Sequence, residues 1–124
     1  MSAKELLVDA AQRPARVAGE VMQGISVDTL NRMPGDTQNS IAWLIWHASR
    51  QQDAQIAHLS KEPQVWTAQG WDEKFDLDQV IDDSWDPPVT RGVRIVSTID
   101  DAAQHLGQAA YVRGLVQDSW RGKY

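Results

Sequence analysis

The sequence predicts an all-α fold in a single domain that spans residues 1–124. Three long segments carry apolar side chains at the spacing of an amphipathic helix, and no segment alternates apolar and polar residues like a half-buried strand. A chain of 124 residues suits one domain. Helices that each present one apolar face must bury it against one another, so these observations together favour a helical bundle.

The first predicted helix begins after Ser2. Glu5 follows three residues later, which is the spacing of a capping box. Pro14 removes one backbone donor and should kink the helix, and Gly24 is a suitable stop.

The second predicted helix begins near Asn39 or Ser40, both good N-caps, and runs to about Leu59. Its first half, residues 41–48, is apolar on nearly every side, so neighbouring elements must enclose it. Its second half, residues 50–55, is largely polar and should reach solvent or a wet cavity.

The stretch of residues 61–89 is expected to be irregular, because Pro63, Gly70 and the proline pair 87–88 interrupt any long element. A helical turn or two is predicted within residues 76–83. Three tryptophans of this stretch are expected to cover other parts of the molecule: Trp66, Trp71 and Trp85.

The last predicted helix starts after Thr90, its N-cap, and continues to about Asp118. A second stripe of residues runs beside the broad apolar face of this helix, and its first three members follow i, i+4 spacing. The stripe consists of Ser97, Asp101, His105, Gln108 and Val112.

Composition excludes several classes of function. The chain has no cysteine, so thiol catalysis, cysteine-ligated zinc, iron–sulfur clusters and disulfide scaffolds are ruled out. A net charge of -5 without a lysine or arginine cluster argues against a nucleic-acid partner. The first residues lack the apolar core of a signal peptide, and no stretch approaches the roughly 20 apolar residues of a membrane span. We therefore expect a cytoplasmic protein without a membrane partner.

The residues best suited to chemistry are Asp101 and His105. Four residues apart on a helix, they share one face and can reach one metal ion. His47 could add a third ligand from a facing helix. Two histidines and a carboxylate, with positions left open for water or substrate, form a common catalytic site for divalent metals.

Plainer roles stay open for these residues. Asp101 could cap a helix that starts later than Thr90, and His47 could be a hydrogen-bonded core histidine. His58 lies three turns beyond His47, about 16 Å away, which is too far to share an ion. It is predicted to be a surface residue, and Asp53 is predicted to be solvated.

Four further residues are candidates for a substrate pocket or for support of the ligands. Gln108 could orient a ligand or bond a loop carbonyl. Arg113 could bind a substrate carboxylate or form a salt bridge at the helix end. Trp43 and Trp46 could wall an apolar substrate pocket or belong to the core.

Two segments resemble the DinB/YfiT-like superfamily of metal-dependent helical bundles: NSIAWLIWH at residues 39–47 and QHLGQ at residues 104–108. Two more are similar to its actinobacterial, mycothiol-dependent branch: DDSWDPPVT at residues 82–90 and AAYVRG at residues 109–114. The likeness covers most of the chain. It implies an up-down-down-up four-helix bundle that holds a divalent ion, usually zinc or nickel, with three histidines.

The resemblance assigns two of those three ligands to His47 and His105. The third position holds Asp101 instead of histidine, and a carboxylate favours a harder ion or binds zinc differently. The chain also departs from the family pattern near Phe75, where another long helix is ordinarily present, so one helix is shortened or missing. The chain could complete its bundle as a homodimer, it could be a truncated paralogue with a collapsed site, or the protein could contain residues beyond this sequence.

The resulting hypothesis is a divalent-metal-dependent protein in which His47, Asp101 and His105 bind the ion and activate water or a thiol. The resemblance implies transferase or isomerase chemistry on a small-molecule substrate with a low-molecular-weight thiol such as mycothiol, which must be a cosubstrate because the chain has no cysteine. The alternative is a non-catalytic helical module that binds a ligand or forms a dimer.

Overall fold

Three long helices form the body of the protein. The computed structural model describes residues 1–76, 84–85, 87–117 and 119–122. The long helices are α1 (Ala3–Met22), α3 (Ile41–Ser60) and α6 (Arg91–Val116), and the short ones are α2 (Val27–Asn31), α4 (Val65–Ala68) and α5 (Trp71–Phe75). A 3-10 turn at Pro34–Asp36 precedes α3, and the described residues include no strand. The all-α prediction is confirmed.

The long helices begin where local capping signals predict. Ser2 and Glu5 form the predicted capping box at the start of α1. The hydroxyl oxygens of Ser40 and Thr90 accept hydrogen bonds from the third residues of α3 and α6. Each cap satisfies a backbone N–H that has no partner within its helix. Pro14 is buried inside α1, which continues through it as one helix.

Helix α6 lies between the other two long helices and packs against both. Its contact with α3 is the most extensive in the molecule, and its contact with α1 follows. The core where the helices meet consists of Val21, Ile41, Leu44, Ala109 and Val112. The last turn of α1 lies beside the last turns of α6, whereas the start of α3 lies beside the second half of α6. The long helices therefore run up, down and up. Between α3 and α6 the described residues form the short helices α4 and α5, where the resemblance implies another long helix.

The middle of the chain is more regular than the sequence predicts. It contains α4 and α5. The first of these is held by Asp53 on α3, which accepts hydrogen bonds at 2.8 Å from the backbone N–H groups of both Val65 and Trp66. The prediction that Asp53 is solvated is therefore wrong: its carboxylate caps α4 and ties it to α3. A helical turn or two was also predicted within residues 76–83. Of these, residues 77–83 lie outside the described part of the chain.

None of the helices described by the structure combines the length and the apolar character needed to cross a membrane.

Candidate functional site

Two histidines face each other across the contact between α3 and α6. The ring centroids of His47 and His105 are 5.1 Å apart, with the ring planes inclined by 45°. The indole of Trp43, one turn before His47, stacks on the His47 ring at 4.5 Å and lies 6.5 Å from the ring of His105. These contacts bring together three predicted site residues from segments that are 58 positions apart in sequence.

The backbone of α6 fixes the orientation of the His105 ring. Its Nδ1 lies 2.7 Å from the carbonyl oxygen of Asp101, one turn earlier. Since a carbonyl oxygen only accepts, Nδ1 is the donor in this bond and the lone pair of the neutral ring is on Nε2. Metal-binding histidines are commonly oriented in this way, by a hydrogen bond from the nitrogen that does not bind the ion.

Asp101 lies beside the ring of His105. Its Oδ2 is 3.5 Å from Nδ1, the nitrogen already bonded to the backbone. The alternative role of Asp101 as a helix cap is wrong, because α6 begins at Arg91 with Thr90 as its N-cap and Asp101 lies in mid-helix.

Two polar atoms at this place are buried without a hydrogen-bond partner in the described structure. They are Nδ1 of His47 and Oδ2 of Asp101. A buried polar atom that makes no hydrogen bond costs about 1–3 kcal/mol, so such atoms are uncommon away from functional sites. Their presence beside a pair of histidines points to a bound ligand or ion.

The pair of histidines fits a divalent metal ion. A zinc ion binds each imidazole nitrogen at about 2.0–2.1 Å, which places two ring centroids on one tetrahedral ion roughly 5 Å apart. The 5.1 Å between His47 and His105 meets this requirement. The described residues include no group of three or more histidine, aspartate or glutamate side chains that could hold a metal ion, so Asp101 does not lie with the histidines as a third ligand.

A polar cavity of about 290 Å³ lies in the groove between α3 and α6, and residues one helical turn away from His47 and His105 line it. Gln51, one turn after His47, and Asp101, one turn before His105, line its nearer end. At its other end the buried guanidinium of Arg94 donates a hydrogen bond to Oε1 of Gln55, and the indole of Trp85 lies 5.5 Å from that guanidinium. The second half of the second predicted helix, which was expected to reach solvent or a wet cavity, contributes Gln51 and Gln55 to the walls of this cavity.

The other lining residues extend the predicted stripe of α6. They are Ser97, Thr98, Asp100 and Gln104. Gln51 and Gln55, which form the opposite wall, were not predicted as individual site residues, although their i, i+4 spacing after His47 was a signal for it.

Two of the remaining predicted site residues, Arg113 and Trp46, make their contacts in other parts of the molecule. Arg113 is buried and donates hydrogen bonds to the carbonyl oxygens of Val21 and Gln23, so its guanidinium caps the end of α1. Gln108 is an exposed residue of α6, and His58 is exposed as predicted. Trp46 is on another face of α3 from His47, where its ring contacts the edge of Trp66 at 6.0 Å.

Comparison with known proteins identifies a family and a similar solved structure. The sequence model of the DinB superfamily matches residues 12–119. Among solved structures, the chain is similar to a conserved protein from Enterococcus faecalis, with a TM-score of 0.82 and 30% sequence identity. The match covers 96% of this chain and 99% of that one. Among curated proteins, none matches this chain in sequence.

Proposed function

The chain belongs to the DinB superfamily, and from that premise we propose that it is a metal-dependent protein in which His47 and His105 bind a divalent ion, zinc or nickel. One observation carries the proposal: the ring centroids of His47 and His105 are 5.1 Å apart, a separation at which both rings can bind one ion. The buried Nδ1 of His47, which lacks a hydrogen-bond partner among the described residues, supports it.

The other groups at the site have distinct roles in this proposal. Trp43 covers one face of the His47 ring and holds its plane. The Asp101 carbonyl keeps Nε2 of His105 free to bind. The Asp101 carboxylate lies 3.5 Å from Nδ1 of His105 and would help to hold that ring in place beside a bound ion.

The reaction we propose is transfer or isomerisation with a low-molecular-weight thiol such as mycothiol. A bound divalent ion lowers the pKa of a coordinated water or thiol and so produces the nucleophile. The chain supplies no sulfur nucleophile of its own, because it has no cysteine. The polar cavity beside the histidines is suited to the body of a hydrogen-bonding small-molecule substrate.

Metal content after purification without a histidine tag tests this proposal. The wild type should retain about one equivalent of zinc or nickel after dialysis, whereas His47→Ala and His105→Ala should retain much less. His58→Ala is the matched control, because His58 is an exposed histidine of the same helix as His47 and should leave metal retention unchanged. Equal, negligible metal in the wild type and in His105→Ala would refute the proposal.

A second candidate function, a dimeric module without catalysis, is favoured by a different observation. An apolar groove of about 600 Å³ runs between the three long helices, lined chiefly by Leu7, Val8, Ile56, Ile95 and Ile99. Val8 and Ile56 are about half exposed. A second copy of the chain could bury this groove as a homodimer. Light scattering after size exclusion, combined with the metal measurement, tests this candidate: a dimer at micromolar concentration that retains no metal supports it, and a monomer rejects it.

A further inference from the structure

The wall that α3 contributes to the polar cavity presents a hydrogen-bond donor. Gln55 is only 6% exposed, and its Oε1 accepts from the guanidinium of Arg94. Because a guanidinium only donates, this bond fixes which way the amide is turned and leaves Nε2 on the other side. Nε2 has no partner in the described part of the chain, yet protein atoms do not enclose it. Its N–H groups are therefore open to the cavity that Gln55 lines.

The wall that α6 contributes presents acceptors. The hydroxyl of Thr98 donates to the carbonyl oxygen of Arg94 at 2.8 Å, so only its lone pairs are left for a ligand. The side chain of Asp101 is 41% exposed although Oδ2 is enclosed, so its open oxygen is Oδ1. The carboxylate of Asp100 is exposed beside it and accepts from the Gln104 amide through Oδ2 alone. Ionised carboxylates can only accept, so this wall calls for donors from a ligand.

The charge of the cavity differs between its two ends. Asp100 and Asp101 give one end two carboxylates, and among the described residues neither forms an ion pair with a lysine or an arginine. At the other end lies the guanidinium of Arg94, behind Gln55 and 5.5 Å from the ring of Trp85. A cationic group is attracted to the first end, whereas an anion there would meet acceptors that cannot donate to it.

The two ends are separated by about one helical turn. Gln55 lies two turns beyond His47 on α3, and Asp101 lies one turn before His105 on the antiparallel helix α6. With the two histidines side by side, Gln55 and Asp101 are offset along the groove by about 5.4 Å, the pitch of a helix. A small molecule with its donor and acceptor groups that far apart can reach both.

We propose that the polar cavity recognises a substrate that carries a protonated amine and, about one helical turn away, a hydrogen-bond acceptor such as an amide carbonyl. The ammonium group donates to the carboxylates of Asp100 and Asp101, and the carbonyl accepts from Nε2 of Gln55. This inference rests on the proposed function only in taking the cavity as the place where substrate binds, and it does not require a metal ion.

The test uses three probes that share a primary amide: 3-aminopropanamide, butanamide, in which a methyl group replaces the ammonium group, and succinamate, in which a carboxylate replaces it. The side-chain NH₂ resonances of Gln55, followed by ¹H–¹⁵N NMR, report binding. 3-Aminopropanamide, whose alkyl amine is protonated at neutral pH, should shift them in a saturable manner. For a probe of this size we expect a dissociation constant of about 10 mM, given the usual affinity per ligand atom.

The two other probes make the result specific for the amine. Butanamide should bind at least about tenfold more weakly, the usual effect of a hydrogen bond to a charged group. Succinamate should produce no saturable shift. Failure of 3-aminopropanamide to saturate the Gln55 resonances, or equal binding of 3-aminopropanamide and butanamide, would overturn the proposal.

Two asparagine variants localise the interaction. Asp101→Asn keeps the shape of the side chain and removes its charge, so the affinity for 3-aminopropanamide should fall about tenfold. Asp28→Asn is the matched control, because it removes the same charge from an exposed residue of α2 and should leave the affinity unchanged. An equal affinity in the two variants would contradict the proposal. If Asp101→Asn does not fold, the comparison of the three probes on the wild type decides alone.

These titrations measure neither metal content nor turnover. A protein that retains zinc or nickel but does not distinguish 3-aminopropanamide from butanamide would overturn this inference and leave the metal site standing. A protein that binds the amine selectively but retains no metal would support this inference and refute the metal site.

Discussion

Replacing Arg113 by methionine should destabilise the protein more than any exposed substitution. Arg113 is only 3% exposed, and its guanidinium donates to the carbonyl oxygens of Val21 and Gln23 at the end of α1 and to Oε1 of Gln117. Burial lowers the pKa of the guanidinium, because removing it from water penalises the charged form. Methionine keeps much of the apolar stem and removes every donor, so the variant isolates the polar interactions.

The size of the effect follows from the bonds that are lost. Each hydrogen bond from a charged donor contributes roughly 1.5–3 kcal/mol, and two carbonyl oxygens lose their guanidinium donor together. The variant also removes the cost of burying the charge of Arg113, and this gain offsets part of the lost free energy. We expect a net decrease in the free energy of unfolding of about 3 kcal/mol, which lowers the Tm of a chain of this length by about 11 °C.

Urea denaturation and thermal melting followed by circular dichroism measure this loss. Arg91→Met is the matched control, because Arg91 also donates to a backbone carbonyl, that of Leu59 at 3.3 Å, but is exposed. The control should change the free energy of unfolding by no more than about 0.5 kcal/mol. If Arg113→Met costs less than about 1 kcal/mol, or no more than the control, the guanidinium does not stabilise the end of α1 as argued.

Three further predictions concern caps. Asp53→Ala should lower the free energy of unfolding by about 2 kcal/mol in urea denaturation, because α4 loses both of its N–H bonds to α3. The same variant should shift the indole NMR resonance of Trp66. An unchanged resonance would show that α4 packs against α3 without this cap. Ser40→Ala should lower the free energy of unfolding by about 1 kcal/mol in the same assay, because the Trp43 N–H loses its hydrogen-bond acceptor. A change near zero would contradict the assignment of Ser40 as the cap of α3. The pKa of Glu5 is lowered because the backbone N–H of Ser2 donates to its carboxylate, with a further bond to the Ser2 side chain. The stability that Glu5 contributes is therefore present above its ordinary pKa of 4.5 and is lost as the pH falls through the lowered value. Urea denaturation at several pH values measures this effect. Between neutral and acidic pH, the free energy of unfolding of Glu5→Gln should fall less than that of the wild type. An equal fall in both proteins would count against the capping box.

The ends of the long helices could be predicted because capping is local. The residues Ser2, Ser40 and Thr90 each bond to a backbone N–H three residues ahead, so the sequence contains the whole signal. The short helix α4 could not be found in the same way. Its cap, Asp53, precedes it by 12 residues and reaches it only after the chain has turned back on α3.

The candidate site was predictable in part for the same reason. Helical spacing places Asp101 and His105 on one face, and the family resemblance selected His47 as their partner. Spacing does not show to which side of the His105 ring the Asp101 carboxylate turns, because that depends on side-chain torsions and on the carbonyl of the same residue. Nor does local sequence show that Arg113 bonds to carbonyls about 90 residues away.

The short length of the chain is shared with a structural relative. The protein from Enterococcus faecalis is matched over 99% of its own chain, so the matched part accounts for nearly all of both structures. The up-down-up arrangement of α1, α3 and α6 is thus the common framework of the two proteins. It places His47 and His105 opposite each other with the polar cavity beside them.

Anomalous scattering from crystals grown with zinc or nickel tests the metal site most directly, since it reports the position and the identity of an ion together. In the wild type we expect one strong anomalous peak between the rings of His47 and His105. Crystals of His105→Ala grown in the same way should show no such peak. A wild-type map with no anomalous signal between the two rings, or a peak that persists in the variant, would contradict the account.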